Sequence, residues 1–193
     1  MRCFSCSCFT FGVFCRSCRE ILSTPNVAVR EVKDRQNELR IYSFYDYSDI
    51  KCLIHSKHQM HGLFAYKALA NLSFKQFALN FTTQTPLNVV PIDDRIIHGY
   101  SHTAILARAM KSLNLKPLYR CLHATSHISY SGQTLKFRQN NPRKFKLLNH
   151  PKYPVILVDD IITTGTTLLE AKTTLERNGF DVLCGIVLAD ARY

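Results

Sequence analysis

Two successive carboxylates, Asp159 and Asp160, are followed by Ile161, Ile162 and the loop Thr163-Thr164-Gly165-Thr166-Thr167. Adjacent acids before a loop of hydroxyls and one glycine suit a ligand that carries both hydroxyl groups and a phosphate. The carboxylates accept hydrogen bonds from hydroxyls, as on a ribose, or hold a hard cation such as Mg²⁺. Gly165 lets the backbone approach a ligand closely, while Thr163, Thr164, Thr166 and Thr167 add hydroxyl donors. A helix starting there presents free N–H groups and the positive end of its macrodipole, which favour a phosphate. The pattern points to a phosphorylated sugar. The chain has no G-x-x-x-x-G-K-[ST] segment, so a P-loop ATPase is not indicated.

A second constellation lies near the start. Cys3-x-x-Cys6 and Cys15-x-x-Cys18 form two knuckles joined by a short loop containing Gly12. Four thiolates at this spacing can close tetrahedrally on one structural Zn²⁺. Cys6-x-Cys8 offers an alternative ligand, and the symmetric pair of knuckles is the expectation. A segment of this length has little core of its own, so metal binding must fold it. A secretory leader needs a charged start, an uninterrupted apolar centre and a small-residue cleavage site, and residues 1–22 are read as lacking them.

The elements that must position the acids follow from the apolar pattern. Val155 to Val158 is a continuous apolar run, as in a parallel strand buried on both faces, and the acids fall where that strand should end. Leu168 to Arg177 has helical composition, with Gly179 where a helix C-terminus favours it. Asp181 to Ala189 is a second apolar run, which completes a βαβ unit, and such units bind ligands at the carboxyl ends of their strands. Upstream, Ser23 to Asn37 is charged, carries Pro25 and reads as a linker. Glu38 to Tyr47 suits a strand or hairpin, and Ser48 to Phe81 one or two amphipathic helices. Leu87 to Ile92 reads as a strand, Asp93 to Ser101 as a polar loop, His102 to Leu113 as a helix and Lys116 to Cys121 as another core strand. His55, His58 and His61 come without a carboxylate or cysteine, so a basic loop by the phosphate is expected there, with Lys57 as its contact.

Of 193 residues, 46% are hydrophobic, enough for a real core, and Lys plus Arg outnumber Asp plus Glu by 25 to 14. The net charge of +11 calls for a polyanionic partner, nucleic acid before an anionic membrane surface. No apolar run is long enough to span a bilayer. Lys136-Phe137-Arg138 and Arg143-Lys144 place cations beside aromatic rings, a pattern suited to the phosphates and bases of a single strand.

Val155 to Thr167 resembles the phosphoribosyl pyrophosphate (PRPP) motif of type I phosphoribosyltransferases. That resemblance implies that Asp159 and Asp160 hold the ribose 2′- and 3′-hydroxyls and act at the reacting sugar. It further implies that Thr163 to Thr167 cradle the 5′-phosphate and that Mg²⁺ accompanies the pyrophosphate. Together with the cysteine knuckles, the Lys57 segment and the 92–101 loop, the chain is similar to the ComF (ComFC) family of competence proteins. Members carry Arg-Gly-Phe-Asn where this chain has His98-Gly99-Tyr100-Ser101, so the permanent charge on pyrophosphate falls to Arg95. The segment from Gln133 to Phe145 matches the family's flexible catalytic loop.

The resemblance implies an α/β phosphoribosyltransferase-like domain over residues 38–193, after a zinc module at 1–22 and a linker at 23–37. It also implies handling of incoming single-stranded DNA, with PRPP as a ligand. The expected place is the cytoplasm, peripherally at inner-membrane DNA-uptake machinery. A nucleotide-salvage phosphoribosyltransferase and a PRPP-sensing nucleic-acid-binding regulator are the alternatives. No segment clearly builds a hood for an acceptor base.

Overall fold

The computed structural model describes every residue except 35–36, 60, 93–95, 97–98, 127–141 and 193, together with the side chain of His58. Strand β7 (Val155–Ile162) and strand β8 (Val182–Asp190) form the centre of a six-stranded sheet. Its order is β1 (Ala28–Lys33), β2 (Glu38–Asp46), β8, β7, β3 (Leu87–Pro91) and β4 (Leu115–Pro117). All neighbours are parallel except the β1–β2 pair. The chain therefore has the expected α/β class with a mostly parallel sheet. β8 lies between β2 and β7, so the last strand in sequence fills the middle of the sheet.

The apolar run behaves as a doubly buried strand must. Ile156 and Val158 join the core on one face, and Val155 and Leu157 join the core on the other. Burying each such side chain contributes roughly 1.5–3 kcal/mol. The strand does not stop at the acids: it pairs onward as Asp159 with Val187 and Ile162 with Asp190. The two carboxylates are thus strand residues rather than loop residues.

One face carries α2 (Tyr47–His55), a single 3-10 turn (Ser56–His58), α3 (Gly62–Leu72), α4 (Phe74–Asn80) and α5 (His102–Ala109). The 48–81 stretch therefore holds more helices than its periodicity suggests, because Gln59 and Ser73 break the pattern. The other face carries α6 (Thr166–Arg177) and a small hairpin of β5 (Leu122–Ala124) and β6 (Phe145–Leu147). β4 is shorter than the Lys116 to Cys121 run suggests. Pro117 brings no donor to the ladder, and Arg120 turns the chain with φ at +52°.

Residues read as a linker contain β1, which pairs with β2 from Ala28–Ser43 to Lys33–Glu38. Its alternation is easily missed, because only Val32 is buried while Val29 is exposed beside the exposed charges of Glu31 and Lys33. At the N-terminus, helix α1 (Arg16–Ser23) and the preceding loop pack against the same core as α2 to α5 through Cys3, Phe14 and Leu22. Tyr45 Oη donates to the Leu22 carbonyl at 2.6 Å, tying that segment to β2.

Candidate functional site

The carboxyl end of β7 gathers the expected acids and several residues from distant elements. Lys57 Nζ donates to Asp160 Oδ2 at 2.7 Å, and Tyr66 Oη donates to the same oxygen at 3.1 Å. His102 Nε2 stands 3.6 Å from it. Asp160 therefore faces α3 and α5. Its neighbour Asp159 has the Arg143 and Lys57 charges within range, and its Oδ1 accepts from the Asp160 backbone N–H at 2.8 Å. Arg143 is held on the opposite face, where the backbone N–H groups of Arg143 and Lys144 donate to Glu170 of α6 at 2.9 and 2.6 Å.

The two acids differ in electrostatics. Burial alone would raise Asp160, but the Lys57 ammonium, the His102 ring and hydrogen bonds from Lys57 hold its carboxyl well below the usual range. Burial pushes Asp159 well up, and the Asp160 charge adds to this. A raised carboxyl means that the fold binds more protons than the unfolded chain from about pH 4 up to the folded value. Ionised Asp159 therefore opposes folding above that window. Asp159→Asn should raise the melting temperature at pH 7, and the gain should disappear below about pH 4; thermal scans across pH check both.

The threonine loop follows at once. Gly165 adopts φ +78° and precedes α6. A Cβ there would stand 2.7 Å from both Cγ atoms of Val32 on β1. Thr164 and Thr166 join their hydroxyls at 2.9 Å, and the Thr166 N–H reaches the Thr164 hydroxyl at 3.4 Å. Arg30 fixes the start of the loop, donating to the Thr163 carbonyl at 2.7 Å and to Asp190 at 3.0 Å. Arg192 braces Asp190 from its other side at 2.6 Å. The loop is thus clamped between β1 and the end of β8. Gly165→Ala combines a left-handed conformation costing about 1–2 kcal/mol with a clash against a stiff β-branched side chain. It should lower both stability and phosphate affinity. Val32→Ala in the same chain should recover part of the stability, which denaturant unfolding measures.

Lys57 is held by its backbone as well as its ammonium. Tyr100 Oη donates to the Lys57 carbonyl at 3.1 Å. A Cβ on Gly62 would stand 2.1 Å from the Ser56 carbonyl oxygen and 2.6 Å from Tyr100 Oη, so only glycine lets α3 start this close to the 3-10 turn.

In the N-terminal module the thiols of Cys3, Cys6, Cys8 and Cys15 lie within 4.8 Å of one another. Cys6 and Cys15 Sγ are 3.6 Å apart. A tetrahedron of sulfurs about 2.3 Å from zinc has edges of roughly 3.8 Å, so this set has the right size. Cys8 joins it in the position that the spacing assigned to Cys18, while the Cys18 thiol lies beside Cys3, Cys6 and Cys15. Burial would raise Cys3, but hydrogen bonding to the backbone at Cys6, Cys15 and Ser5 outweighs it and brings the thiol down to about 6. Cys8 is pushed up to about 12 by the adjoining Cys6 and Cys15 sulfurs. Such a cluster ionises throughout only around a cation.

The structure brings Lys57, Asp159, Asp160, Arg143 and the 163–167 loop to one end of the sheet. Arg95, Lys136, Phe137, Arg138 and His98 lie outside the described residues. Tyr66, His102, Arg30 and Asp190 were not anticipated as site residues. For Asp190 a signal existed, a carboxylate directly after an apolar strand. Among the described residues, no helix is long and apolar enough to cross a membrane.

No family model matches the chain, and no curated protein matches it. Among solved structures it is similar to a hypoxanthine phosphoribosyltransferase from Staphylococcus aureus, at 16% identity and TM-score 0.40, over 65% of this chain and 62% of that one. It is similar to an orotate phosphoribosyltransferase from Aeropyrum pernix at 17% identity and TM-score 0.37, over 90% of this chain and 80% of that one. An adenine phosphoribosyltransferase from Leishmania tarentolae aligns at 11% identity and TM-score 0.39, over 89% and 86%. The chain spans 62% of the length of the staphylococcal enzyme. The α/β class and the parallel sheet stand on the strand order itself.

Proposed function

We propose that this protein binds PRPP with Mg²⁺ at the carboxyl end of β7 and handles single-stranded DNA during natural transformation, as the resemblance to ComF proteins implies. The observation that carries the sugar-phosphate half is the junction of Asp159 and Asp160 with a glycine-turned threonine loop at the start of α6. Ribose hydroxyls donate to the carboxylates, and the 5′-phosphate accepts from the loop and the first turn of α6. Mg²⁺, when bound with the pyrophosphate, would offset its negative charge. Arg143, beside Asp159, supplies a cation on the open side of the sugar. Arg95 and Lys57 serve the pyrophosphate. The net charge of +11 and the Lys136–Lys144 segment support the single-strand half. The cysteine cluster carries a structural Zn²⁺, and the site of action is the cytoplasmic side of the inner membrane, by peripheral attachment.

Calorimetric titration with PRPP and Mg²⁺ tests the sugar-phosphate site. Wild type should show saturable binding, and the Asp159→Asn, Asp160→Asn chain should show none while remaining folded. Equal binding by both chains sinks the assignment. Release of pyrophosphate with any nucleobase moves the protein to the salvage transferases.

A further inference from the structure

Beside the sugar-phosphate site runs a groove of about 900 Å³ that the reading above leaves without a role. Tyr100 and Ser101 line its near end, where Tyr100 also holds the Lys57 carbonyl. From there it follows α5 and the edge strand β4. Arg108, Lys111, Lys116 and Arg120 line it, and all four are exposed. Arg108 lies in the last turn of α5 and Lys111 just beyond its C-cap, where the Lys111 N–H donates to the Arg108 carbonyl at 3.2 Å. Arg120 is directed by a backbone φ of +52°, which an L side chain adopts only at a cost. Among the described residues, no carboxylate lines the groove. Its apolar surface is open as well, with Tyr119 39%, Leu148 58% and Ile96 72% exposed.

Exposed cations set around exposed aromatic and aliphatic surface match a polyanion that carries flat apolar groups. We infer that this groove along α5 and β4 is the track for a single-stranded nucleic acid, with phosphates on Arg108, Lys111, Lys116 and Arg120 and a base stacked on Tyr119. The track leads towards Tyr100, and so delivers the strand to the mouth of the sugar-phosphate site. This assignment rests on the single-strand half of the proposed function.

The test is binding of a labelled oligothymidylate to the full chain over a salt series. The Arg108→Ala, Lys111→Ala chain should bind roughly tenfold more weakly, and its salt slope should fall by about 1.4, or 0.7 per phosphate contact. Tyr119→Ala should weaken binding about fivefold or more at every salt concentration, with the slope unchanged. Lys33→Ala, Arg40→Ala removes the same charge at the opposite edge of the sheet and should leave the slope intact. PRPP binding by the groove variants should match wild type. If wild type binds and the groove variants bind equally well, the groove is overturned while the single-strand reading stands. If wild type does not bind, that reading fails and takes the groove with it. Loss of binding to phosphatidylglycerol vesicles with oligonucleotide affinity retained overturns the proposal in favour of a membrane-facing groove.

Discussion

Cys3→Ser is expected to empty the proposed zinc site and unfold residues 1–22. Cys3 is 2% exposed, accepts the Cys15 N–H on its sulfur at 3.3 Å and belongs to either possible ligand set. Apparent zinc affinities of about 10–16 kcal/mol drive the folding of segments this short. The damage should also spread. Phe14 and Leu22 share a core with Phe44, Tyr45 and Ile50, and Phe4 packs edge-on against His61 at 5.5 Å. Metal analysis should find one zinc per wild-type chain and none per Cys3→Ser chain, with a lower melting temperature for the variant. Cys8→Ser should weaken zinc more than Cys18→Ser, because Cys8 belongs to the tightest set. A full equivalent of zinc in Cys3→Ser would falsify the assignment.

Lys57→Met should be the most damaging change at the sugar-phosphate site. The Lys57 and Asp160 side chains are 23% and 8% exposed and meet at 2.7 Å. Removing one partner of such a pair typically costs about 3–5 kcal/mol, because the other charge stays buried. For a chain of this size that lowers the melting temperature by roughly 6–20 °C. Tyr66 and His102 still face Asp160, so the lower end of that range is expected. The pH dependence has a definite sign. In wild type the depressed Asp160 stabilises the fold above about pH 4, and this is lost as pH falls through the lower folded value. Without Lys57 the buried Asp160 titrates above its unfolded value, so acidification should narrow the gap between the two chains. Lys57→Met with Asp160→Leu should recover much of the loss, since a well-packed apolar pair avoids the desolvation penalty. A single variant within about 0.5 kcal/mol of wild type would show that the pair carries no stability.

Much of this arrangement is legible in the chain itself, for definite physical reasons. The apolar run before Asp159, the loop at Gly165 and the helix after it are local patterns, and local patterns report backbone geometry. Lys57 stands out in the sequence as a cation among histidines, and in the fold it meets Asp160 at 2.7 Å. What escapes is the partner that arrives from far away. Tyr66 reads as one more apolar position on a helix, yet its hydroxyl ends on Asp160, 94 residues later. Arg30 reads as one charge among several in a linker, yet it holds the threonine loop 133 residues away. Spacing also cannot say whether Cys8 or Cys18 completes a tetrahedron, because that depends on how the loop between the knuckles turns back at Ser7, where φ is +62°. The groove along β4 belongs to no single segment and has no local signature.

The central place of β8 has a consequence for synthesis on the ribosome. Residues 182–190 are made after both of the strands they pair with, β2 on one side and β7 on the other. Until they emerge, the nascent chain has two halves of a sheet and two bare strand edges, each a template for wrong pairing. The Arg30–Asp190 clamp on the threonine loop cannot form before then either. A message that stops before the codon for Val182 would therefore yield an aggregation-prone product.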